Sequence, residues 1–120
     1  MTKGRILCVD NSVDDCELLS FVLQDSGYTV EVAQTMAEGV RLAKNKPPDL
    51  YLLDVSLQDG TAFDLLGKVR TFSPDTPVII CSADVRDSTQ QSAIAAGVQA
   101  FLSKPVNLDV LVEKVDQLLS

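Results

Sequence analysis

The chain reads as a doubly wound α/β sandwich, a parallel sheet covered by helices on both faces. Four short runs point to this first: Ile6-Leu7-Cys8-Val9, Leu50-Tyr51-Leu52-Leu53, Val78-Ile79-Ile80-Cys81 and Ala100-Phe101-Leu102-Ser103. They are apolar at nearly every position, as strands buried on both faces are. Strand and helix signals then alternate five times with no repeat, low-complexity segment or linker, which implies right-handed crossovers. Finally, 120 residues fill one domain with a real core, taken as residues 1–120, and are too few for two.

The elements follow in order. The first strand is set at about Arg5 to Asp10. Ser12 opens a helix with Asp14 and Asp15 in its first turn, where the positive end of the dipole favours acids. Cys16, Leu19, Val22 and Leu23 recur on one face, and Gly27 ends the helix. Tyr28 to Ala33 alternates, with Val30 and Val32 on one side of an outer strand. Thr35-Met36-Ala37-Glu38 reads as a capping box for a helix carrying Met36, Val40 and Ala43 inward. That helix stops before Pro47-Pro48. The third strand is Leu50 to Asp54, followed by a loop through Asp59-Gly60 and a helix from about Thr61 to Phe72. Pro77 to Ser82 and Ala100 to Ser103 are the last two strands. The final helix begins near Asn107 and buries Leu108, Leu111, Val115, Leu118 and Leu119. Between those two strands, the helix from about Arg86 is almost wholly polar, with Ala93, Ile94 and Ala96 as its anchors. Either it is a plain solvated helix, or its few apolar contacts let it shift at modest cost.

Composition narrows the chemistry. With 46% apolar and 22% charged residues the chain is an ordinary globular domain. No stretch approaches the roughly 20 apolar residues of a membrane span. The N-terminus runs straight into a strand with no signal-peptide pattern, so the expected location is the cytoplasm. A formal net charge of −7 argues against direct binding to nucleic acid, although it also simply keeps a small protein soluble. The chain has no histidine, which excludes histidine triads and His/Cys zinc sites. Cys8, Cys16 and Cys81 form no CxxC and read as reduced core residues.

The strand ends carry the functional signal. Asp10, Asp54, Ser82 and Lys104 each follow or end an apolar run. In a doubly wound sheet, ligands bind outside the carboxyl ends of the strands, where the strand order reverses. Two carboxylates on adjacent strands suit one hard cation such as magnesium, which takes few protein ligands alongside phosphate oxygens. A carboxylate is also a competent nucleophile toward phosphorus. A hydroxyl and an ammonium opposite it can hold the remaining phosphoryl oxygens. Singly, an Asp at a strand end is a common turn former and a Lys before Pro a common surface residue; together on one edge the four are specific.

Val9-Asp10, Leu52-Leu53-Asp54-Val55, Asp59-Gly60, Ile80-Cys81-Ser82-Ala83, Ala96-Gly97 and Ser103-Lys104-Pro105 resemble the receiver domain of two-component response regulators, over essentially the whole chain. The resemblance implies a flavodoxin-like (βα)5 three-layer sandwich with a five-stranded parallel sheet of order 2-1-3-4-5. It implies that Asp54 accepts a phosphoryl group from the phosphohistidine of a sensor histidine kinase or phosphotransfer protein. Asp10, Asn11, Asp54 and the backbone carbonyl of Ser56 would hold Mg2+, Ser82 and Lys104 would contact the phosphoryl group, and Phe101 would serve with Ser82 in the switch. A downstream effector domain or protein would read the face of the fourth helix, fifth strand and fifth helix, which also offers a homodimer surface. The Lys104-Pro105 bond is commonly cis in that family. No effector domain is expected within the chain, which reaches its fifth helix at Ser120.

Three residues depart from the pattern. Asn11 stands where receivers carry a second acid, so the cation site loses a full charge and weakens. Asp14 and Asp15 are the only nearby acids, and on the following helix they are expected to point away. Gln58 replaces a frequent proline and Ala62 a frequent glycine. Asn11 therefore favours an alternative reading, a degenerate receiver that binds partners without phosphate. An aspartyl phosphohydrolase would need a second acid two residues after Asp54, where Ser56 stands. An FMN carrier would need a phosphate loop that Asn11-Ser12-Val13-Asp14 does not make. The expected role is a signalling phosphoacceptor rather than an enzyme.

Overall fold

A computed structural model describes residues 2–120. Seven strands and five helices run β1 (Arg5–Val9), α1 (Val13–Asp25), β2 (Thr29–Ala33), α2 (Met36–Asn45), β3 (Leu50–Leu53), β4 (Ser56–Leu57), β5 (Gly60–Thr61), α3 (Ala62–Val69), β6 (Val78–Ser82), α4 (Asp87–Ala95), β7 (Ala100–Ser103) and α5 (Leu108–Leu119). The main sheet is parallel throughout and ordered β2-β1-β3-β6-β7. This is the expected order 2-1-3-4-5, with β4 and β5 added as a two-residue antiparallel ladder after β3.

Alternate residues of the central strands feed two cores. Leu7, Val9, Tyr51, Leu53, Val78 and Ile80 pack on one face with residues of α2, α3 and α4. Ile6, Cys8, Leu50, Leu52, Ile79 and Cys81 pack on the other with Cys16, Leu19, Leu23, Leu111 and Val115 of α1 and α5. Both faces of β3 and β6 are fully covered, so these strands carry apolar residues at nearly every position.

Helix starts and stops follow local chemistry. Ser12 caps α1 by accepting the Asp15 N–H at 3.2 Å, and Gly27, at φ 102°, lets the chain leave the helix. At α2 the expected capping box is only half made. Thr35 accepts the Glu38 N–H at 3.1 Å, but Asp59 reaches across from the β4–β5 turn to take the free N–H groups of Met36 and Ala37 at 2.7 and 3.0 Å. The reciprocal box sits instead at Thr61 and Asp64, opening α3. The α-helix there ends at Val69 rather than Phe72, and turn bonds from Phe72 and Ser73 back to Val69 lead the chain to Pro74.

Val30 and Val32 share a face of the edge strand β2 as expected, Val30 packing on the core and Val32 being 41% exposed. One apolar assignment changes. On α4, Ile94 is 76% exposed and does not anchor the helix; Thr89 and Ala93 are its buried residues. Ile94 follows Ala93 by one residue, about 100° around the helix, and so faces solvent.

Candidate functional site

The edge at the carboxyl ends of β1, β3, β6 and β7 is set by the sheet ladder continued one step. Asp10 N–H donates to the Ala33 carbonyl at 3.0 Å, Asp54 N–H to Val9 at 2.9 Å and Lys104 N–H to Ser82 at 2.9 Å. Asp10, Asp54 and Lys104 are thus each the first residue beyond a strand, held by the backbone to the neighbouring strand while the side chain leaves the sheet. These three meet directly. Lys104 Nζ donates to Asp10 Oδ2 at 2.8 Å and lies 3.6 Å from Asp54 Oδ2. The Asp10 side chain is 2% exposed, and those of Asp54 and Lys104 are 15% and 16%. Asp10 Oδ1 accepts the Ser12 N–H at 2.9 Å, so both of its oxygens are engaged.

Asp15 is the residue that sequence reasoning placed wrongly. Its Oδ2 also accepts from Lys104 Nζ at 2.8 Å, so it points toward the site and not away. The signal was available in the spacing. Asp15 lies four residues before Leu19, which is buried against the sheet, and residues i and i+4 share a helix face.

Ser82 closes β6 with its hydroxyl buried, accepting the N–H of Asp84 at 3.0 Å. Asp84 in turn accepts from the Arg86 guanidinium at 2.9 and 2.8 Å and from the Thr89 hydroxyl at 2.8 Å. This network ties the loop after Ser82 to the first turns of α4. Asn11 is exposed beside Asp10, and Ser56 is exposed at the start of β4, two residues after Asp54. Phe101 is half-buried on β7 and packs on the core beneath α2, α3 and α4. The Lys104–Pro105 bond is cis.

Burial and then repulsion by Asp10 raise the Asp54 carboxyl above its ordinary range, with Lys104 opposing them. Burial alone would lower the Lys104 ammonium, but its hydrogen bonds to Asp10 and Asp15 outweigh that and hold it above an ordinary lysine. The three thiols are free and buried. Burial pushes Cys81 up to about 12, which fits a packing role.

Among the described residues, no group of three His, Cys, Asp or Glu side chains is placed to hold a metal ion. The oxygen donors that do gather are the carboxylates of Asp10 and Asp54, at 2.8 and 3.6 Å from the Lys104 ammonium. An all-oxygen set with two carboxylates suits magnesium, which keeps waters and substrate oxygens in its remaining positions.

Comparison with known proteins places these features in a family. The model of the response regulator receiver domain family matches residues 6–116. A 14.6 kDa protein from the sodA1 3′ region of Leptolyngbya boryana is 34% identical over 98% of this chain and 91% of its own length. The transcriptional regulatory protein GlrR of Escherichia coli is 32% identical over 97% of this chain, which spans 26% of GlrR. Among solved structures, a CheY-like response regulator receiver domain protein from Methanospirillum hungatei superimposes with a TM-score of 0.90 at 31% identity, covering 96% of this chain and 92% of that one. The chemotaxis response regulator CheY4 of Vibrio cholerae gives 0.88 at 28% identity, covering 96% and 98%.

Proposed function

The chain belongs to the response regulator receiver domain family, and we propose that it accepts a phosphoryl group on Asp54 from the phosphohistidine of a sensor kinase or phosphotransfer protein. The observation that carries this is the Asp54 carboxylate itself. It is 15% exposed at the sheet edge, has its own backbone locked to β1, and lies 3.6 Å from an ammonium that a buried second acid holds in place.

In the transfer, an Asp54 oxygen attacks phosphorus in line. A P–O bond forms to Asp54, the P–N bond to the donor imidazole breaks, and the ring nitrogen keeps that electron pair. Asp10, Asp54, Asn11 and the Ser56 carbonyl would hold magnesium, which when bound supplies positive charge to the phosphoryl oxygens. Lys104, its backbone fixed by the ladder, offers an ammonium N–H not taken by Asp10 or Asp15 to a phosphoryl oxygen. Ser82 must release the Asp84 N–H to turn toward the phosphoryl group. That step couples the site to the Asp84–Arg86–Thr89 network and to α4, in which only Thr89 and Ala93 are buried. A helix held this lightly shifts at small cost, and Phe101 lies beside it in the same core. The readout surface is then α4, β7 and α5, where an effector domain, a separate protein or a second copy would bind. On this reading the protein is a switch and not a turnover enzyme. The chain spans 54% of ActR and about a quarter of GlrR, so their outputs as regulatory proteins are not carried over.

Intact mass after incubation with acetyl phosphate and magnesium tests the proposal. One added phosphoryl group is expected, and none in Asp54→Ala; equal labelling of both proteins would overturn it. The second reading, a receiver that binds partners without phosphate, is favoured by Asn11 and by the two hydrogen bonds that hold Lys104 to Asp10 and Asp15 rather than to Asp54. No added mass in the parent supports that reading.

A further inference from the structure

An ammonium has three N–H donors. On Lys104 two are directed at Asp10 Oδ2 and Asp15 Oδ2, both at 2.8 Å, while Asp54 Oδ2 at 3.6 Å is an ion-pair neighbour without a hydrogen bond. Resting on the reading of Asp54 as phosphoacceptor, we propose that Asp15 is a positioning residue: it holds Lys104 on Asp10 and away from Asp54, and so preserves, for a divalent cation, the charge that Asn11 fails to supply.

The charge distribution supports this. Asp10 and Asp54 with Lys104 alone carry a net charge of −1, too little for a site that must also take a divalent ion. Asp15 brings the group to −2, the value that an acid at position 11 would give instead. Its placement is built into the fold. The Asp15 N–H donates to the cap residue Ser12, whose own N–H donates to Asp10 Oδ1, so both acids that grip the ammonium are fixed through one turn of chain. Asp15 is also the more exposed of the two, its side chain 40% exposed against 2% for Asp10. It therefore acts on where the ammonium sits and not through burial. Without Asp15 the freed N–H turns toward Asp54, the nearest remaining carboxylate, and competes there with the cation.

The test is magnesium titration by calorimetry on the full chain, in the parent, Asp15→Asn, Lys104→Met and the double variant. NMR of the Lys104 ammonium in metal-free protein runs alongside. Asp15→Asn is expected to bind magnesium about fivefold more weakly, the effect of one partly screened unit charge moved against a divalent ion. In the Lys104→Met background the same change should cost less than about 1.5-fold, because no ammonium remains to be held. Asp15→Glu, which keeps the charge, should recover most of the affinity and controls for damage to the start of α1. The Lys104 ammonium resonance should shift in Asp15→Asn before any metal is added. Equal affinity in the parent and Asp15→Asn, an equal loss in both backgrounds, or an unmoved ammonium resonance would each overturn the role of Asp15. If the parent takes neither magnesium nor phosphate, the proposed function falls and this role with it. If the parent takes both and Asp15→Asn matches it, only the role of Asp15 falls.

Discussion

Replacing Lys104 by Met should destabilise the metal-free fold by about 3 kcal/mol, and the structure says where that figure comes from. Asp10 is 2% exposed, and its Oδ2 has the Lys104 ammonium at 2.8 Å as its partner. Removing one member of a buried pair leaves an uncompensated charge and costs about 3–5 kcal/mol. The lower end applies because the Lys104 side chain is 16% exposed and its own desolvation is relieved. The contact with Asp15, whose side chain is 40% exposed, adds at most about 1 kcal/mol after solvent screening. Met retains most of the aliphatic stem, so little packing is lost. With no tryptophan in the chain, urea unfolding followed by circular dichroism in chelator is the suitable assay. The midpoint should fall at unchanged slope, matching a drop of about 10–15 °C in Tm for a domain of this size. The Lys104 ammonium is held above its ordinary value, so its contribution is complete below about pH 10 and is lost only as pH rises through the folded value. A loss below about 1 kcal/mol at pH 7 would show that Lys104 does not neutralise Asp10.

Asp54→Asn should do the opposite. The raised Asp54 carboxyl means that the folded chain holds this proton more tightly than the unfolded one, so stability falls as pH rises from about 4, the ordinary carboxylate value, through the folded value. Thermal melts should show the Asp54→Asn variant more stable than the parent at pH 7, with no gain below about pH 4; a gain that is constant with pH would refute the cause. Asn11→Asp should tighten magnesium binding in calorimetry while lowering the metal-free Tm, because the same charge that attracts the cation repels Asp10 and Asp54 without it. Gly97→Ala should cost about 1 kcal/mol in urea unfolding. An added Cβ would meet only Arg70 Nη1 at 3.6 Å, so the penalty is that of an L residue at φ 73°.

The sequence by itself determined the architecture and most of the reactive edge. Unbroken apolar runs such as Val78-Ile79-Ile80-Cys81, short and rich in β-branched residues, read as strands covered on both faces. A parallel sheet built from such strands brings the residues after them to one edge, so Asp10, Asp54, Ser82 and Lys104 were legible as a group from their positions alone. Local hydrogen bonding was legible wherever partners lie within a helical turn, as at the cap residue Ser12. What the tertiary structure decided are contacts between residues far apart in the chain. Asp59 caps α2 across 23 residues and displaces the box expected within it. Asp15 meets Lys104 across 89 residues, turning a first-turn acid into part of the site. Ile94 faces water although it is the largest apolar residue of α4, because the single stripe that touches the sheet runs through Thr89 and Ala93. Patterning reports which residues avoid water, and strand ends report where a site forms. Only the packing of α1 against the loop after β7 determines which of several nearby acids an ammonium chooses, since hydrogen bonding at 2.8 Å depends on how two separate elements meet.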